Sequence, residues 1–175
     1  AYQRPLVLSG IAVAQAKAGD IKAAFATAKT IEDASQRSYA LIRIAEAQAK
    51  AGDIKAALAT ANTIEDASQR SYALSGIAEA QAEAGDIKAA FATAKTIESA
   101  TLRSDALRGI AEAQAKAGDI KASQSTFTLA LNSAKTIEDA SQSSWALVGI
   151  AEAQAEAGDI KAAFATAKTI EDISQ

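Results

Sequence analysis

The groups able to do chemistry in this 175-residue chain are few in kind. It has 21 Asp and Glu, 18 Lys and Arg, one Trp, three Tyr and four Phe, but no His and no Cys. The missing Cys excludes disulfides, thiolate metal sites and cysteine nucleophiles. The missing His removes the commonest general base and metal ligand. Carboxylates alone can still form an acid–base pair or hold a hard cation, so each has to be weighed. Nearly all of them recur at a fixed place. Asp20, Asp53, Asp86, Asp119 and Asp159 each follow Ala-Gly, Asp33, Asp66, Asp139 and Asp172 each follow Ile-Glu, and Glu46, Glu79, Glu112 and Glu152 form a third column. A catalytic site needs one unusual constellation, whereas these are the same groups restated. There is no P-loop, dinucleotide fingerprint, zinc motif or EF-hand loop. No catalytic residue, metal ligand or cofactor is therefore expected, and the chain does not read as an enzyme.

The carboxylates point to the elements that carry them. Ala-Gly-Asp recurs with its glycine at Gly19, Gly52, Gly85, Gly118 and Gly158, at spacings of 33, 33, 33 and 40. The repeats are approximately 1–33, 34–66, 67–99, 100–139 and 140–172, and 173–175 begin a further helix. The seven extra residues of the fourth copy are close to two helical turns, which keeps the helix faces nearly in phase. Each unit reads as two helices. In the second copy Asp33 caps a first helix from about 34 to 51, with Gln36 in a capping-box position. Leu41, Ile44 and Ala45 follow the i, i+3, i+4 rule on that helix. Gly52 closes it, and Asp53 caps a second helix from about 54 to 63. Ser99 replaces Asp as the cap after the third copy.

A unit of this size buries its apolar face only by stacking on neighbours, so the expected fold is an all-α solenoid of five antiparallel helix pairs, built as one domain. Ala supplies 48 of the residues, combining helix propensity with close helix approach. The larger expected anchors are Ile21, Phe25, Ile54, Leu58, Ile87, Phe91, Ile160 and Phe164, with Ile120, Phe127 and Leu131 on the longer fourth copy.

The unit resembles a tetratricopeptide repeat (TPR) over the whole chain. Leu41, Ile44, Ala45, Gly52 and Ala57 match that family's apolar, small, turn-glycine and second-helix alanine positions. The departures are a period of 33, Gln48 where the family prefers Tyr, and no Pro closing the second helix. The Thr-Pro-Leu-His signature of ankyrin, which shares the period, is absent. The resemblance implies a TPR-like superhelix that binds a peptide or protein in a concave groove lined by first helices.

Three first-helix columns vary between copies: Leu6, Tyr39, Tyr72, Asp105, Trp145; Ser9, Ile42, Ser75, Arg108, Val148; and Gly10, Arg43, Gly76, Gly109, Gly149. The resemblance places the first two in the groove, which makes Tyr39, Ile42, Tyr72, Arg108, Trp145 and Val148 candidate partner contacts. Mid-helix Gly costs about 1 kcal/mol against Ala, so these glycines imply a packing or access reason. Gly149 would open space above Trp145, and Gly76 above Tyr72. The aromatics either offer themselves to a peptide or sugar ring or pack into the adjacent repeat. Asp105 and Arg108 should pair at i, i+3, and Glu46–Lys50 and Glu112–Lys116 at i, i+4.

A fourth column, Lys17, Lys50, Glu83, Lys116 and Glu156, alternates in sign over its last four members. A second molecule placed head-to-tail would set Glu156 beside Lys17. Ile160, Ala163 and Phe164 keep the internal pattern in the last copy, and Pro5 fits a first helical turn preceded by a short lead. The expected end-to-end interface is Leu6, Leu8, Lys17, Glu156, Ile160, Phe164 and Ile173, and a heterologous contact of this kind can build a filament. The partner is thus protein, either a second copy in a homo-oligomer or a peptide in the groove. The net charge of −3 argues against nucleic acid, and no apolar run approaches a membrane span. An Ala start without Met is compatible with signal-peptide removal, hence with a secreted or periplasmic protein.

Overall fold

The computed structural model describes residues 3–173, with side chains through 170. It is all-α among those residues. The helices are α1 Gln3–Lys17, α2 Ile21–Lys29, α3 Ala34–Lys50, α4 Ile54–Ala61, α5 Ala67–Glu83, α6 Ile87–Lys95, α7 Ala100–Lys116, α8 Ile120–Ala134, α9 Ala140–Glu156 and α10 Ile160–Ile173. They fall into two compact units, Ala1–Ala80 and Gln81–Gln175, divided within α5. In the first unit α1 packs on α2 and α3, and α3 on α2 and α4. In the second α7 packs on α6, α8 and α9, and α9 on α8 and α10. The short connections make successive helices antiparallel.

The recurring aspartates from Asp20 to Asp159 are caps, as their spacing implies, whereas Asp172, expected as a cap, falls within α10. Asp33 Oδ1 accepts the Gln36 N–H at 2.8 Å, Asp53 Oδ1 that of Ala56 at 3.0 Å, and Asp139 Oδ1 that of Gln142 at 2.8 Å. Gly52 turns the chain between α3 and α4 at φ +84°, a left-handed conformation that suits glycine. The Asp53 N–H then donates back to the Gln48 carbonyl at 2.9 Å. Gln3 already belongs to α1, so the helix starts inside the expected lead and Pro5 sits within its first turn, where its missing N–H costs little.

The core is smaller in its side chains than expected. In α2, α4 and α6 the buried apolar positions are Ala24, Ala28, Ala57, Ala61, Ala90 and Ala94. Ile21, Phe25, Ile54, Leu58, Ile87 and Phe91 are only half-buried, while Ile120, Ile160 and Phe164 are exposed. The close approach that Ala permits leaves no room for a large residue on the innermost line, and the large residues flank it. The large buried residues come from the first helices, at Ile44, Ile77, Ile110, Leu147 and Ile150, and from three of the connections. Ile31, Ile64 and Ile97, in the Thr-Ile-Glu linkers, are each 1% exposed.

The longer fourth unit stays in phase. Ser123, Thr126, Phe127, Ala130, Ser133 and Ala134 are the buried positions of α8, an i, i+3, i+4, i+7 series that repeats after seven residues. Phe127 is buried as expected and Leu131 half-buried.

Candidate functional site

Two surfaces stand out, and each is built from residues that the repeat restates. The first is the exposed face of the first helices. In the first unit Leu6, Tyr39 and Tyr72 are all exposed, and Ile42 is half-buried. In the second unit Asp105 is exposed, Trp145 is 76% exposed, and Arg108 and Val148 are half-buried. Half or more of each aromatic side chain is thus at the surface. A helix presents every 3.6th residue alike, and this column lies opposite the core line of Ala40, Ile44 and Ala45.

The glycines beside the aromatics do not leave open space. A Cβ on Gly76 would lie 3.5 Å from Glu46 Cγ, and one on Gly149 would lie 3.7 Å from both Cδ and Nε of Arg108. The side chain of one first helix therefore lies across the glycine of the next. Arg43 Nη1 donates to Glu46 Oε2 at 2.7 Å, so Glu46 turns back to Arg43 rather than on to Lys50. In the second unit Arg108 Nη2 donates to Asp105 Oδ1 at 2.5 Å, and its Nη1 donates to Glu112. The Asp105–Arg108 pair is the expected one, whereas Glu112 engages Arg108 instead of Lys116. A guanidinium bridges two carboxylates on one face where a lysine reaches only one. Burial would lower the Arg108 pKa, but the hydrogen bonds and charges of Asp105 and Glu112 outweigh it and hold the guanidinium more firmly protonated.

The second surface is formed by positions that lose their cover. Ile44, Ile77 and Ile110 have no exposed surface and Ile150 has 1%, yet Ile11, at the same repeat position in α1, is 44% exposed. Val7 is exposed where Ala40 and Ala73 are fully buried. In α10, Phe164 is 73% exposed, and Ala167 is exposed where Ala28, Ala61 and Ala94 are buried. Of the other expected interface residues, Leu8 is half-buried and Lys17 and Glu156 are exposed. The Ile173 side chain lies outside the described residues. Lys116 and Glu156, neighbours in the alternating charge column, line one open cavity of about 190 Å³ together with Glu112.

Two repeated side-chain arrangements support these faces, and neither was anticipated. One is a side-chain pair inside every repeat. Thr27, Thr60, Thr93, Thr126 and Thr166 each donate from Oγ1 to Oε1 of Gln15, Gln48, Gln81, Gln114 and Gln154, at 2.8, 2.6, 2.7, 2.6 and 2.7 Å. The Gln in each first helix thus ties it to the second helix of the same repeat. The other is a latch between repeats. Arg37, Arg70 and Arg103 donate from Nη1 to the carbonyls of Ile31, Ile64 and Ile97 at 2.8, 3.0 and 2.9 Å. The signal for both was present, since Gln and Thr stand twelve apart in all five copies and Arg recurs every 33 residues.

No family model matches the chain, and no curated protein does. Among solved structures it is similar to the nearly identical TPR-like repeats of a kinesin light chain-like protein of Podosopora anserina. The match has 16% identity and a TM-score of 0.45, and covers 98% of this chain and 95% of that one. A second crystal structure of the same repeats, carrying one substitution, gives the same identity and TM-score over 97% and 94%. Among the described residues, no group of three or more acidic side chains is arranged to hold a metal ion, and no helix is long and apolar enough to cross a membrane.

Proposed function

We propose that this chain is a non-enzymatic protein-interaction scaffold whose main partner is a second copy of itself, joined head-to-tail through the α1 face of one molecule and the α10 face of the next. The observation that carries the reading is Ile11. It is 44% exposed while the same residue in the four other repeats is at most 1% exposed, covered there by the neighbouring repeat. Within the chain a second helix packs on the first helix that follows it, α2 on α3, α6 on α7 and α8 on α9, and α10 has its own uncovered positions in Phe164 and Ala167. A contact between two unlike faces does not close on itself, so repetition leads to a filament. Lys17 and Glu156 would add an attractive pair across each junction, worth less than about 1 kcal/mol because both are exposed. The recurring aspartates from Asp20 to Asp159 support the non-enzymatic part by serving as caps, and Glu46, Asp105 and Glu112 by pairing with Arg43 and Arg108.

Mass measurement in solution tests the reading. Light scattering from 1 to 200 μM should show mass rising with concentration, and electron microscopy should show rods longer than one molecule. A constant monomer mass over that range would overturn it.

A second reading, binding of a peptide across the first-helix face, is favoured by the exposure of Tyr39, Tyr72 and Trp145. Trp145 is the only Trp, so its fluorescence reports directly on a ligand there. Unchanged partner binding in Trp145→Ala would remove this reading.

A further inference from the structure

Residues 21–32, 87–98 and 160–171 carry the same sequence, Ile-Lys-Ala-Ala-Phe-Ala-Thr-Ala-Lys-Thr-Ile-Glu. The first two stretches end their helices at Lys29 and Lys95, with Thr30 and Thr96 as C-caps. Ile31 and Ile97 then leave the helix and are 1% exposed. The third stretch does not break. α10 continues through Thr169 and Ile170 to Ile173, so Asp172, expected as a cap, lies within a helix. Residues 21–33 and 160–172 are identical even through the aspartate, and therefore local propensity cannot be what separates the two conformations.

The broken copies share a first helix that follows and packs against them. Its arginine takes the Ile carbonyl: Arg37 on Ile31 and Arg103 on Ile97, each Nη1 also reaching the next carbonyl, of Glu32 or Glu98, at 3.4 Å. In a continuous helix those carbonyls would accept from N–H groups four residues on. The arginine and the helix thus compete for the same acceptors, and burial of the Ile side chain tips the competition toward the break. The counterpart of Arg37 in the first repeat is Arg4, which is exposed in the first turn of α1.

We propose that α10 carries a docking-induced break that completes the junction between two copies. When α1 of a second copy seats on α10, Arg4 of that copy takes the Ile170 carbonyl. The helix then ends at Lys168, and Ile170, half-buried in the single molecule, enters the new junction as Ile31 does in the first. The second copy is the occupant because three internal junctions of this same chain, where Arg37, Arg70 and Arg103 hold the carbonyls of Ile31, Ile64 and Ile97, are the template for it; the fourth breaks with Ser143 in place of the arginine. The proposal rests on the self-association reading above.

The test uses the full chain, following association by sedimentation and residues 169–172 by their Cα chemical shifts at low and high concentration. Those shifts should be helical in the dilute chain and lose helical character as mass rises. Arg4→Ala should weaken association about tenfold, the usual scale for a charged hydrogen bond. Glu171→Pro removes an α10 helical bond but occupies a position outside the helix in the broken copies, so it should tighten association several-fold by pre-forming the break. Glu171→Gly should act in the same direction by less. Association with helical shifts retained at 169–172, and no tightening in either Glu171 variant, would overturn the switch and leave head-to-tail association standing. A chain that stays monomeric overturns both.

Discussion

Gln48 and Thr60 show what one pair of side chains contributes. Both are buried and joined at 2.6 Å, so losing Thr60 leaves the Gln48 carbonyl group without its donor, whereas losing Gln48 leaves a buried void beside a Thr60 hydroxyl that keeps its bond to the Ala56 carbonyl at 2.9 Å. Gln48→Ala should destabilise the chain by about 2 kcal/mol, and Thr60→Val by a similar amount through the orphaned Gln48 carbonyl group. The double variant should cost less than the two singles summed, as denaturant melts would show. The mid-helix glycines should behave in the opposite way. A Cβ at Gly149 meets Arg108 at an ordinary 3.7 Å, so Gly149→Ala should stabilise by about 0.5–1 kcal/mol through helix propensity alone. Gly52→Ala, at φ +84°, should destabilise by about 1 kcal/mol or more. The two glycine types were legible apart, since one recurs in Ala-Gly-Asp and the other inside the first helices, and the positive φ values fall on the Ala-Gly-Asp glycines. The Asp105–Arg108 pair was legible because i, i+3 spacing alone brings the two side chains together. The choice of Arg43 over Lys50 as the partner of Glu46 was not, because it depends on competing geometry on one face.

At the scale of elements, helix positions followed from caps and glycines, and α3 and α4 began at the residues after Asp33 and Asp53. The role of the linkers did not follow. Ile64 lies in a three-residue stretch that reads as a turn, but the stacked neighbours draw it into the core, and Ile64→Ala should cost about 2–4 kcal/mol. The large residues Phe25 and Phe91 were expected inside because apolar size usually marks the core. In an alanine-lined groove the space is too narrow for them. The extra heptad of α8 makes a further prediction. Thr126 and Ser133 stand seven apart on one face, and both are buried. Deleting residues 127–133 should restore the standard unit and preserve a cooperative melt, although the burial of Phe127 is lost. Deleting only 127–131 should abolish it, because five residues turn the helix by about 140° and put the polar face inward.

For the whole molecule, the five-fold restatement of one helix pair was legible from spacing alone, since each copy poses and solves the same burial problem. The faces that remain uncovered were legible only in outline. Sequence placed Phe164 and Leu6 among the interface residues, but Leu6 is exposed like Tyr39 and Tyr72 in its own column. The uncovered positions that distinguish α1 are Ile11 and Val7, which required comparison of burial at equivalent positions. These two faces are unlike, and that permits one direct test. Ile11→Lys should disable the α1 face and leave α10 intact, while Phe164→Lys should do the reverse. Each variant alone should remain monomeric at concentrations where the native chain elongates. Mixed in equal amounts, they should form a 1:1 dimer and stop there, as read by sedimentation velocity. A mixture that stays monomeric while the native chain elongates, or single variants that elongate like the native chain, would contradict head-to-tail joining through α1 and α10.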